Sequence, residues 1–106
     1  MVKEISVTEL KTWIDEGKNF QLLDVREPHE LDIASIGGDN IPLKTIPHNL
    51  SEISEEKEVV VYCRSGKRSA KAIEFIQSQK GIRTLFNLKG GILAWSDEID
   101  NTIKKY

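Results

Sequence analysis

The chain has 106 residues, 39% of them hydrophobic and 30% charged, with a formal net charge of -2. That length supports a single domain, 1–106, with one core. The balance of charge excludes both a disordered chain and the basic footprint of a nucleic-acid binder. One cysteine excludes an internal disulfide, and two scattered histidines, His29 and His48, give no zinc spacing, so no metal is expected.

Ser6-Val7-Thr8-Glu9 has the spacing of a capping box, and Leu10, Trp13 and Ile14 continue it as the apolar stripe of a first helix that Gly17 ends. Phe20 to Val25 reads as a buried strand. Asp24 and Arg26 stand where that strand leaves the sheet, the position at which open α/β sheets gather ligands, and Pro28 is expected to break the chain. Glu30 to Asn40 is mixed, with a turn at Gly37-Gly38-Asp39, and Ile41-Pro42-Leu43 is too short to assign. His48 to Glu58 is acidic and helix-compatible near its start.

Val59-Val60-Val61-Tyr62 is a β-branched run too short for a helix. It leads into Cys63-Arg64-Ser65-Gly66-Lys67-Arg68, a glycine-bearing loop with three cations and no acid, and then into helical periodicity over Ser69 to Lys80. Backbone N–H groups running into a helix start favour an anion. Such surroundings bring a cysteine from ~8.5 down to roughly 3.5 to 7.5, which makes Cys63 a candidate thiolate nucleophile. Gly81 caps the helix, Thr84 to Leu88 reads as a strand, and Gly90-Gly91 precedes a last helix through Trp95. Alternating strands and helices call for an α/β fold: a mostly parallel central sheet with helices on both faces.

Leu23-Asp24-Val25-Arg26-Glu27-Pro28, Asn40-Ile41-Pro42-Leu43, Cys63-Arg64-Ser65-Gly66-Lys67-Arg68-Ser69 and Asn87-Leu88-Lys89-Gly90-Gly91-Ile92-Leu93-Ala94-Trp95 together resemble a single-domain rhodanese, a sulfurtransferase. The match runs from about Val7 onward in the family's order and spacing. The resemblance implies a persulfide on Cys63, cradled by the loop backbone from Arg64 to Arg68, with no cofactor. It implies a donor that is thiosulfate or a persulfidated protein. Where many such proteins read Gly-His this chain has Ala34-Ser35, and it is one residue shorter between Gly38 and Asn40. Glu30 to Gly38 and Trp95 to Asp100 are instead similar to the rhodanese domain fused behind adenylating enzymes. Those enzymes sulfurate ubiquitin-like carriers for molybdopterin, thiamine or thiolated tRNA. Arg64, Ser65, Gly66, Lys67, Arg68, Asp24 and Arg26 are therefore the expected substrate-binding residues.

Plainer readings stand beside these. Cys63 alone would more often be inert core, and its basic loop reverses that. Asp24 either pairs with Arg26 or serves catalysis. Trp13, Phe75 and Trp95 read as packing, and Glu52, Glu55, Glu56 and Glu58 as a solvated acidic face. A cysteine phosphatase would carry C-x5-R, whereas Cys63 to Arg68 is C-x4-R, and a redox-sensing or interaction module also remains open. No run is apolar and long enough to span a bilayer, and the N-terminus lacks a signal peptide's apolar core, so a cytoplasmic location with no membrane partner is expected.

Overall fold

The computed structural model describes residues 2–106. In chain order the elements are β1 (Lys3–Ile5), α1 (Val7–Asp15), β2 (Gln21–Asp24), α2 (Pro28–Leu31), β3 (Asp39–Asn40), two 3-10 turns (Leu43–His48, Leu50–Glu52), β4 (Val59–Tyr62), α3 (Lys67–Lys80), β5 (Leu85–Leu88) and α4 (Gly91–Glu98). The five strands lie in the order β1-β5-β4-β2-β3. All of their pairings are parallel.

Central β4 is apolar at every position because both of its faces are covered. Strand alternation sends Val59 and Val61 to one face, with Cys63 after them, where they pack with Ala72, Ile73 and Ile76 of α3 and with Ile46 and Ile53 from the 3-10 region. Val60 and Tyr62 face the other way, against Leu10 of α1 and Ile92 and Trp95 of α4. Trp13 completes that second layer, meeting Phe20 and Phe86 edge-on at centroid separations of 5.5 and 5.7 Å.

Several sequence expectations shift. The α1 capping box forms as spelled, Ser6 Oγ accepting from Glu9 N and Glu9 accepting from Ser6 N, but Ile14 is exposed and lies off the buried stripe. Pro28 does not break the chain. It opens α2 at a position where its missing N–H costs nothing, behind a capping box made by Glu27 and Glu30. Beside the turn glycines, Asp39–Asn40 pairs with β2 as a two-residue edge strand, and Lys3–Ile5 pairs with β5 at the opposite edge. α3 starts at Lys67 rather than Ser69, which puts Lys67 and Arg68 in its first turn. No helix among the described residues is long and apolar enough to cross a membrane.

Candidate active site

β4 delivers Cys63 to the carboxyl edge of the sheet, and the chain then turns sharply into α3. Gly66 makes the turn: its φ of 105° is a left-handed conformation that side-chain-bearing residues rarely adopt. The turn folds backbone donors toward the sulfur. Cys63 Sγ accepts from Gly66 N at 3.1 Å and from Ser69 N at 3.4 Å, and Ser69 Oγ lies 3.4 Å away. Cys63 is only 1% exposed, and burial alone pushes its thiol up. The hydrogen bonds from Ser69, Gly66 and Ser65 outweigh burial and leave the thiol below its ordinary value.

The loop is also gripped from behind. At the start of α4, Ile92 N donates to the Cys63 carbonyl at 3.0 Å and Leu93 N to the Arg64 carbonyl at 3.2 Å. Gly91 permits that approach, because a Cβ there would sit 2.6 Å from the Cys63 carbonyl oxygen and press on that of Arg64 as well. The Gly90-Gly91 pair is thus part of the cysteine's scaffold as well as a helix start.

The expected binding residues divide into two groups. Arg64, Ser65 and Lys67 are exposed around the loop, and Gly66 lies in it. Arg68 is at the rim, but both of its terminal nitrogens are committed to Glu30, at 2.6 and 2.8 Å. Asp24 and Arg26 are 1% and 0% exposed and pair with each other beneath the loop rather than at its rim. Arg26 grips Asp24 through Nε (3.0 Å) and Nη2 (2.9 Å), and it also donates to the Ala34 carbonyl and to Tyr106 Oη. Burial works against its charge, and the hydrogen bonds to Asp24 and Tyr106 more than restore it. Asn40 Nδ2 ties the carbonyls of both Asp24 and Arg26.

Four further residues join the site. Glu30 is held down at about 2, chiefly by Arg68 against the opposing effect of burial, with help from Tyr106. Tyr106 Oη donates to Glu30 Oε2 at 2.6 Å and accepts from Arg26 Nη1 at 2.8 Å, while the Arg64 guanidinium stands 5.2 Å from the centre of its ring. Ser69 and Asn87 complete the surroundings of the sulfur, Ser69 Oγ donating to Asn87 Oδ1 at 2.5 Å. The capping-box spacing from Glu27 to Glu30 was a usable signal for ordering that turn. Nothing local pointed to Tyr106, some forty residues beyond the cysteine.

The parallel α/β sheet thus ends its central strand in a buried thiol that faces the N–H groups of Gly66 and Ser69. The chain belongs to the rhodanese family: the Rhodanese-like domain profile matches residues 6–98. It is 37% identical over 97 residues to a protein named sulfurtransferase from Allochromatium vinosum, covering 91% of this chain and 90% of that one. It is 32% identical over 105 residues to the probable adenylyltransferase/sulfurtransferase MoeZ of Mycobacterium tuberculosis, covering 96% of this chain. The chain spans only 26% of MoeZ. Among solved structures, a rhodanese-like domain protein from Staphylococcus aureus superposes with a TM-score of 0.82 at 33% identity, covering 99% of both chains.

Proposed function

We propose that this chain is a sulfurtransferase that carries sulfane sulfur as a persulfide on Cys63. One observation carries the reading: the sulfur of the single cysteine receives hydrogen bonds from Gly66 N and Ser69 N at the start of α3. Donors fixed in this way stabilise negative charge on sulfur before and after transfer without reorganising. With thiosulfate as donor, the Cys63 thiolate attacks the sulfane sulfur, the new S–S bond forms, and the old one breaks to release sulfite. A nucleophilic acceptor, such as a thiolate or cyanide, then attacks the outer sulfur and takes it away, returning the Cys63 thiolate. Each step conserves charge and needs no cofactor.

The likeness to MoeZ supports a finer reading, in which the acceptor is the adenylated C-terminus of a ubiquitin-like carrier supplied by an adenylating enzyme. The persulfide attacks the acyl carbon and releases AMP. An external thiolate then attacks the Cys63 sulfur of the resulting acyl disulfide, expelling the thiocarboxylate and leaving a mixed disulfide, which a second external thiolate cleaves to return the Cys63 thiolate and an external disulfide. A cytoplasmic setting suits that chemistry. Phosphate transfer fits less well, since the one arginine at the phosphatase-like end of the loop, Arg68, is spent on Glu30. A redox-sensing role would need a resolving thiol from elsewhere, because Cys63 is the only cysteine.

The test is intact mass after exposure to thiosulfate, with and without reductant. The native chain should gain one reducible sulfur and Cys63→Ala none; sulfur retained by Cys63→Ala would overturn the assignment. Thiocarboxylate on a carrier, formed from loaded protein, adenylating enzyme and ATP, tests the finer reading.

A further inference from the structure

Asn87 is a poor strand former, yet it sits in β5 opposite Val61, buried to 4% exposure. Alternation along the strand places it with Leu85, on the face of the sheet that carries Cys63. A buried amide must be satisfied, and this one is satisfied entirely by the cysteine loop. Its Nδ2 donates to the Gly66 carbonyl at 3.0 Å and its Oδ1 accepts the Ser69 hydroxyl at 2.5 Å. Gly66 and Ser69 are the residues whose N–H groups reach Cys63 Sγ. One side chain therefore holds two of the residues that supply hydrogen bonds to the sulfur.

The Ser69 hydroxyl has a single hydrogen to give. While that hydrogen points at Asn87 Oδ1, Ser69 Oγ faces Cys63 as an acceptor, suited to a neutral S–H. A thiolate is served better by a donor, and swinging that hydrogen from Asn87 to sulfur on ionisation adds one to the N–H groups already there. We propose that Asn87 is a positioning residue for Cys63: its amide fixes the Gly66 peptide and sets the direction of the Ser69 hydroxyl, coupling both to the charge on the sulfur. This rests on the reading of Cys63 as the reacting thiolate. The charges around the loop are Arg64, Lys67 and Arg68, with Glu30 of α2 paired to Arg68, and among the described residues none of them hydrogen-bonds to Asn87. Asn87 thus acts through Gly66 and Ser69 alone.

The test reads ionisation of the only thiol rather than sulfur uptake. Asn87→Asp keeps the shape, removes the donor to Gly66 and places a carboxylate one hydroxyl away from the sulfur. In a variant shown by thermal melting to be folded, the pH midpoint of Cys63 alkylation by iodoacetamide should rise by about one unit or more. A folded Asn87→Asp protein with an unchanged midpoint overturns the proposal. A second measurement needs no variant at that position: the side-chain amide resonances of Asn87 in the native chain should titrate with the alkylation midpoint and become flat in Cys63→Ala. Resonances that stay fixed through the thiol titration also overturn it. Failure to take up sulfur, with this coupling present, would remove the sulfur-transfer reading and leave the role of Asn87 standing.

Discussion

Cys63 and Arg26 both lie just beyond the carboxyl ends of neighbouring strands, and both are buried, yet their charges are supported in opposite ways. The sulfur draws its direct hydrogen bonds from Gly66 and Ser69, no more than six residues along the chain. Arg26 is held by Asp24, by the Ala34 carbonyl and, across 80 residues, by Tyr106, whose hydroxyl also pairs with Glu30. Backbone donors in a tight turn tune a reactive anion and are compact enough to leave room for a substrate. A buried guanidinium needs five hydrogen bonds in a fixed fork, and only distant parts of the chain supply so many partners. The first region is where the proposed chemistry sits; the second is the frame under it, extending through Glu30 to hold Arg68 at the rim.

This contrast can be broken experimentally, because frame substitutions should move stability and leave the thiol alone. The largest effect is expected for Arg26→Met, which strands Asp24 as a buried unpaired carboxylate and should destabilise by about 3–5 kcal/mol in denaturant unfolding. A loss under ~1 kcal/mol would mean that Asp24 finds water once Arg26 is gone.

Acid should dissolve the frame next. Glu30 titrates at about 2 in the folded chain against an ordinary 4.5, first because of its hydrogen bonds with Arg68 and in spite of burial. A depressed carboxylate stabilises fully above the unfolded value, so the contribution is present above about pH 4.5 and lost as the pH falls toward 2. With Arg68 about one-third exposed, solvent screening reduces the effect to on the order of 2 kcal/mol. Unfolding midpoints compared between pH 6 and pH 3 should show this loss in the native chain and a flatter profile in Glu30→Gln.

The smallest effect sharpens the comparison from the loop's side. Lys67 is exposed and makes no hydrogen bond to the sulfur, so Lys67→Ala should shift the Cys63 alkylation midpoint by less than about half a unit. A larger shift would show that cations, rather than backbone donors, govern the thiol.

The part of the site that could be read from residues was the part built locally. Val59 to Ser69 spells strand, glycine turn and helix start within eleven positions, and the Ser6 to Glu9 spacing spells a helix cap. Less was legible in Glu30 to Asn40, where a two-residue strand takes its partner from β2 and has no periodicity of its own. Lys3 and Glu4 hid β1, because an edge strand with one buried residue looks like a polar tail.

By itself the sequence determined the order of the longer helices and inner strands, the buried central strand and the place of the one thiol, since propensity, periodicity and turn chemistry act over a few residues. Only the tertiary structure decided which cations stay free. Arg64, Lys67 and Arg68 are alike as letters, but Arg68 meets Glu30 and Arg64 meets the Tyr106 ring, while Lys67 forms no ion pair among the described residues. The same holds for Asp24 and Arg26, a strand-end pair that reads equally well as a binding site or as a buried support. Burial makes them a support, because a fully enclosed guanidinium must be satisfied from inside, and its partners at Ala34 and Tyr106 are set by folding rather than by spacing.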